Sequence, residues 1–486
     1  MRGLTGDKGL INEAKQTKSA AEIQGLKEQI ELSKVKAELK SNNVTMETVI
    51  QQLIKDGVIA DESQVNKENG DITFGDSVLE GELAEYVISP GEKYYGNKNI
   101  MPTNQKYFNF TVDAKAGTAT LTGVKDEYAV KAYQNGEATQ YTVVIKDGDT
   151  YVKDVVIPYE YVEADGKKYS VTIIGTSAFQ GLTGDNVTNV EERFTSFVLP
   201  NTITIIGKST FDGTTNLESV NIPSSVKKIY EWAFKGCGGV PKVLDLSDVE
   251  LFGVYAFYEC TTLERVKFSG KVDNVPAFCF TNCTNLKSVI LTDGITKIEQ
   301  HAFKLCTSLA EINLPDSLIN IEWGAFNGCA SLSSINIPEN VTSIGVQAFA
   351  GCKSLTSVNI PDGVQTIGSN MFAYCYNLNN IEIPNSVTSI GQGAFVRCEK
   401  ITRLNIPQGV TEIGRGAFQQ CYGLEEIYVP SSVTIMGPTV FFGWDETQTI
   451  NCEILESQKP DTWDAQWDYY NGDNPRKAQL NWGVSR

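Results

Sequence analysis

Nine cysteines, Cys237, Cys260, Cys283, Cys306, Cys329, Cys352, Cys375, Cys398 and Cys421, recur at steps of 23 residues. Thiols on such a clock suggest a metal cluster or a set of disulfides, but an odd number cannot all pair, and the close C-x2–4-C spacing of zinc sites does not occur between them. A ladder of buried thiols packed as small hydrophobes fits better. Cys279 stands off the clock in a slot that other repeats fill with Ala302, Ala325 or Ala348, and Cys452 lies near the end, where it is free to reach solvent. A single histidine, His301, cannot build a multi-histidine metal centre, and any Ser-His or Cys-His site would have to use it. It sits two residues before Phe303, where a half-exposed structural role is expected. No carboxylate pair is placed as acid and base, and no glycine-rich phosphate loop is present. The expectation is no catalytic residue, no enzyme activity, no cofactor and no metal. Four of the six tryptophans, Trp444, Trp463, Trp467 and Trp482, cluster near the end. They would serve as a sugar-stacking platform or, the preferred reading, as a hydrophobic end cap.

The element that carries the cysteines is a repeat. Phe211 recurs at 234, 257, 280, 303, 326, 349, 372, 395, 418 and 441, always 23 residues on, with a further copy at Phe179. Cys follows three after the Phe, Leu (or Val240, Ile401) six after, and Pro ends an apolar stretch, giving roughly A-F-x-x-C-x-x-L-x-x-[VI]-x-I-P-x-x-V-x-x-I-G-x-x. Each unit holds two short strands. In "LTSVNIP" Val358 and Ile360 alternate with polar residues, and in "VTSIG" Val387 and Ile390 face inward. One unit buries too little by itself, so the units must stack Phe on Phe and Leu on Leu. Eleven or twelve rungs at the sheet spacing would extend roughly 50 to 60 Å. The unit "CGGVPKVLDLSDVELFGVYAF" gains a residue before Asp245 and loses one before Phe257, yet the Phe interval holds. Rung register, not local spacing, is the constrained quantity.

The unit, as in "SVTSIGQGAFVRCEKITRLNIP", resembles the leucine-rich repeat of the BspA-like (Treponema pallidum type) surface proteins over about residues 171–444. The fold class expected is a repeat solenoid, mainly β with short helical turns, preceded by an α-helical N-terminal segment and a β cap. The resemblance implies a bacterial cell-surface or secreted protein that mediates adhesion or other protein contacts.

The organisation expected is a helical segment over 1–75, a β-rich cap over 76–170, the solenoid over 171–444 and a Trp-rich cap over 445–486. Residues 8–41 lack Pro and carry Ile23, Leu26 and Ile30 on one helix face; a second helix is expected from Thr45, with Val44 and Val49 as a staple. The stretch "LTGDKGLINEAKQTKSAAEIQGLKEQIELS" resembles the post-membrane segment of Gram-positive type IV pilin-like proteins. That implies a soluble part of a membrane-tethered protein, although no stretch here approaches the roughly 18 to 20 apolar residues of a span. "KDGDT" (146–150) and "ADGKK" (164–168) read as hairpin turns, the former despite calcium-like acidic spacing.

A formal charge of −18, with no basic run, argues against nucleic acid. A host or bacterial surface or matrix protein is the partner class expected. Recognition is sought where the repeat varies. Two before the clock Phe stand Trp232, Tyr255, Phe278 and His301, then Gly324 beside Trp323, side chains that stacking would align into an aromatic strip. A second candidate is the outward column Asn313, Asn336, Asn359 and Asn405, with Ser334, Ser357 and Arg403 nearby. The rival roles are a pilin-like or envelope component with the solenoid as spacer, and sugar binding by the tryptophans.

Overall fold

The computed structural model describes residues 46–55, 64–65, 72–74, 77–79, 105–125, 127, 129–134, 137–147, 150–152, 154–180, 196–468 and 478–484. The chain divides into two units, Met1–Met101 and Pro102–Arg486. In the first, the helix Met46–Lys55 buries Ile50 and Leu53, which its period places on one face. A short antiparallel pair joins Ile72–Phe74 to Ser77–Leu79. The helix expected to follow Thr45 is therefore present. The helix expected over 8–41 and the pilin-like stretch over 4–33 lie outside the described residues.

The second unit is a solenoid of parallel rungs, and its register is the sequence period. In one sheet Ser334 pairs with Ser357 and Ile335 with Val358, which pairs in turn with Ile381. In the other, Ile367 pairs with Ile390 and Ile390 with Ile413. Val358, Ile360, Val387 and Ile390 are buried as the alternation requires, and Leu332, Leu355 and Leu378 form a buried column beside them. The irregular unit behaves as its Phe interval implies. Val243 pairs with Arg265 across a 22-residue step, while Lys228 and Leu251 pair across 23. Phe234 and Phe257 still stack at 5.3 Å and 2°.

From Ser196 onward the strands are only two to four residues long and fall into separate runs, so the sheets alone do not bind the rungs together. The corner that carries the Phe does. Its amide groups alternate in direction: Ala325, Asn327 and Cys329 donate within the rung to Glu322, Gly324 and Phe326, whereas Gly324, Phe326 and Gly328 donate to Val346, Ala348 and Ala350 of the next. A helix would consume all six donors internally. Left-handed residues at Gly324 (φ 59°) and Gly328 (φ 79°) interrupt it, so the short helical turns of each rung take the form of overlapping turns that leave half their donors for the neighbour. The same pattern repeats at successive corners.

Inside that corner run twelve phenylalanine rings, Phe179 to Phe441, with centroid steps of 5.3–5.8 Å and interplanar angles of 2–25°. These are offset stacks, the arrangement that ring quadrupoles favour. Both ends of the column are closed edge-on. Phe108 meets Phe179 at 6.5 Å and 85°, and Trp444 and Trp467 meet Phe441 at 5.0 and 6.0 Å.

At the N-terminal end, Thr118–Val124 pairs parallel with Lys168–Ile174, which pairs with Ile205–Ile206; Asp154–Val156 pairs parallel with Ser196–Val198. Antiparallel Phe108–Asp113 lies outside Thr118–Val124 and ends that ladder. "KDGDT" connects an antiparallel pair in which Asp147 faces Thr150, and "ADGKK" one in which Val162 faces Lys168. Both are hairpins, as expected. At the other end Glu426–Val429, Thr449–Cys452 and Gln479–Trp482 continue the first sheet. Trp444, Trp463 and Trp467 are buried, at 2–4% exposure. Trp463 packs against Trp467 and Trp482 at 5.1 and 6.2 Å. Ring faces engaged in this way leave little for a sugar to stack on, which removes the support for the carbohydrate platform.

Phe326 is wholly buried in the middle of the column. Phe326→Ala should cost about 3–5 kcal/mol, read as a lowered urea midpoint of the full chain. Leu305→Ala, at a site 38% exposed, should shift the midpoint far less.

Candidate partner-binding surface

The position two residues before each column Phe is left-handed in every rung from Ser177 to Thr439, with φ of 53–59°. Its amide must point to the next rung, as Trp232 N does to Val254 O and Tyr255 N to Ala277 O, both at 3.2 Å. Glycine suits this conformation, and Gly324, Gly393 and Gly416 occupy it, with Ser, Asn, Gln or Thr elsewhere. Four consecutive rungs instead carry rings: Trp232, Tyr255 and Phe278, bulky residues that rarely adopt it, and then His301. Each left-handed residue costs roughly 1–2 kcal/mol.

The rings follow one another as a strip. Trp232 lies 6.2 Å from Tyr255, and Tyr255 stacks on Phe278 at 4.5 Å and 4°. Phe278 is 5.1 Å from His301, and His301 is 4.5 Å from Trp323. The five aromatic candidates are therefore brought together. Sequence reasoning missed the neighbours that complete the strip. Lys208 places its Nζ 4.5 Å over the Trp232 ring, Tyr258 packs on Tyr255 at 5.5 Å, and Trp323 Nε1 donates to Gln347 Oε1 at 3.3 Å. Val346, one rung beyond Trp323 at the same position, extends the apolar surface; the two are 42% and 49% exposed. Lys208 and Val346 could have been found by reading the position three before the Phe as a column.

His301 corrects an expectation. It is not half-exposed but 5% exposed, because Phe278 and Trp323 cover it from the two adjacent rungs. Gly324 is needed beneath it, since a Cβ there would lie 2.4 Å from His301 Nδ1.

Residues 186–289, 243–354, 273–375 and 319–451, more than half of the chain together, match the model of the BspA type leucine rich repeat region, with six copies. The chain belongs to that family. A leucine-rich repeat protein from Bacteroides ovatus is 23% identical over 79% of this chain and all of its own, with a TM-score of 0.50. A leucine rich cell surface protein from Faecalibacterium prausnitzii is 24% identical over 80% of this chain and 96% of its own, at 0.45. The Treponema pallidum leucine rich repeat protein is 22% identical over 67% and 91%, at 0.29. At these identities the Bacteroides structure supports the fold alone. No curated protein matches the chain.

In this BspA-type solenoid the asparagine column lies on the first sheet, in a different part of the rung from the aromatics. Asn359 accepts from Ile337 N (2.8 Å) and donates to Ile337 O (2.7 Å), replacing a main-chain pair where the strand has ended. Asn221, which sequence reasoning passed over, does the same with Leu199, and Asn313 Nδ2 reaches Leu291 O at 3.5 Å. Asn336 and Asn405 are exposed on the same face. The side-chain amide of Asn359, tied to the previous rung, is not available to a partner, whereas Asn336 and Asn405 remain exposed.

The clock cysteines do more than pack. From Cys260 to Cys421 each Sγ lies 3.0–3.3 Å from the carbonyl oxygen of the Phe one rung back, a weak S–H···O bond. In the last rung Trp444 takes the cysteine slot, and its Nε1 donates to Phe418 O at 2.9 Å. All eleven cysteines are buried, including Cys452, whose place in Thr449–Cys452 between two paired strands excludes the solvent exposure expected for it. Burial pushes the Cys237 thiol up to about 11 and those of Cys283, Cys352, Cys421 and Cys452 up to about 12. Cys279, packed in the alanine slot, is raised for the same reason. At pH 8 the folded chain should react negligibly with a disulfide thiol reagent, whereas the denatured chain titrates all eleven. Because unfolded thiols ionise near 9 and folded ones only at about 11–12, stability should fall as pH rises through that window. Denaturation midpoints at pH 8 and 10.5 check the sign.

Proposed function

We propose that this chain is displayed outside a bacterial cell, where it is a non-catalytic adhesion module that binds a host or bacterial surface or matrix protein through the strip Trp232, Tyr255, Phe278, His301 and Trp323. The carrying observation is that large rings occupy four successive left-handed positions, although other rungs fill the same position with small or polar residues. Strain kept where the fold does not require it is a reason to look for function. The strip is also partly exposed and contiguous, and aromatic residues dominate the energetics of protein interfaces. Family membership supports the surface role: solenoids of this kind offer long rigid faces for protein contacts.

Ring geometry narrows the mode of contact. Tyr255 and Phe278 spend faces on one another, and Lys208 covers a face of Trp232. The strip therefore presents mainly ring edges, suited to an apolar protein surface more than to stacked sugars. Replacing Trp232, Tyr255 and Phe278 together by Ser is compatible with the corner, since Ser177 and Ser209 hold the same left-handed position. The triple variant should keep its circular dichroism and urea midpoint while losing at least tenfold in binding to cells or immobilised matrix proteins, a loss of about 1.4 kcal/mol. Undiminished binding would instead favour the solenoid as a spacer.

A further inference from the structure

The chain has one histidine, and it sits inside the strip. Its ring is closed between Phe278 and Trp323, and Nδ1 is buried with no hydrogen-bond partner among the described residues. The main chain of Gly324 lies directly below: it makes no well-formed hydrogen bond to Nδ1, yet it favours the protonated ring and so opposes burial and Lys304. Neighbouring elements bring little to receive a second proton. Phe278 and Thr281 of the preceding rung carry no charge, and the Thr281 hydroxyl is donated to the His301 carbonyl. Glu299 on the same rung accepts from Asn274 Nδ2 and Ala277 N at 2.8 and 2.9 Å. Glu322 on the next accepts from Lys297 Nζ and Gln300 N at 2.8 and 3.1 Å. The charge that bears on the imidazole is that of Lys304, and it repels a cation.

We infer that His301 is a proton-operated latch of the recognition strip: neutral, it completes the stack between Phe278 and Trp323; protonated, it leaves that site, frees Trp323 and dismantles the C-terminal end of the strip. The inference rests on the strip being the binding surface. An imidazolium has two N–H donors, and a second donor at Nδ1 would be buried with only the Gly324 main chain nearby, which forms no well-aligned bond to it. Trp323 can move with little resistance, because it is half exposed and held at its indole nitrogen by one bond to Gln347. Burial first, and Lys304 second, outweigh the opposing pull of the Gly324 main chain and hold the imidazole below its ordinary 6.5. With a depressed folded value the closed strip is fully favoured above about pH 6.5 and is lost as pH falls through the folded value.

The single histidine makes the test direct. In the full chain, carrying a tag without histidine, the one imidazole C2 proton should titrate by NMR with a midpoint below 6.5. The emission of Trp323, taken as the difference between wild type and Trp323→Phe, should change with the same midpoint. A midpoint at or above 6.5, or emission flat across it, overturns the latch whatever the strip binds. Binding to the cells or matrix proteins used above should weaken by up to about tenfold per pH unit below the midpoint. His301→Phe, which places the residue of the preceding rung in the same slot, should abolish that dependence. Binding that responds to the triple Ser variant but not to pH overturns the regulation alone. Binding indifferent to the triple variant overturns the recognition reading, while the NMR and emission titrations still decide whether the latch exists.

Discussion

Everything in this solenoid depends on one contact repeated: the amides at the Phe corner reach the next rung while the Phe ring lies on its neighbour. Strands of two residues exchange few hydrogen bonds, and both sheets are interrupted along the array. The corner supplies donors at nearly every step, and its rings bury completely. The stack tolerates a displaced residue in the first sheet next to Leu244, because that shift is absorbed before the chain returns to Phe257.

That constraint explains the other conserved-looking letters of the unit. The cysteine is a small side chain that fits beside the ring and whose thiol reaches the Phe carbonyl of the rung before it. Its chemistry is suppressed by the same burial, which leaves the thiolate inaccessible at ordinary pH. Trp444 shows what the position requires: at the end of the stack, where no further rung needs room, a large indole supplies the donor and also covers Phe441.

The corner also creates its own variable surface. Turning alternate amides toward the neighbour forces a left-handed residue two before each Phe, and whatever side chain stands there leans over the next rung, as His301 does over Gly324 and Asn370 over Gly393. A column of glycine, serine and asparagine would satisfy the backbone. The aromatic run is an addition to the fold, and the burial of its only histidine follows from the way each ring is roofed by the next.

The 23-residue interval by itself determined the solenoid, the inward residues, the register and the alignment of Trp232, Tyr255, Phe278 and His301, because in a stacked array a sequence period is a spatial coordinate. The hairpins at "KDGDT" and "ADGKK" were legible for a local reason, their turn residues. Only the tertiary structure decided that Asn359 is spent on the Ile337 main chain, that the cysteines donate to carbonyls, that Cys452 and His301 are buried, and that Lys208 caps the strip. These depend on which atoms of one rung face those of another at the ångström scale. A period specifies which residues are neighbours, whereas burial and hydrogen bonding depend on how their side chains and main chains meet.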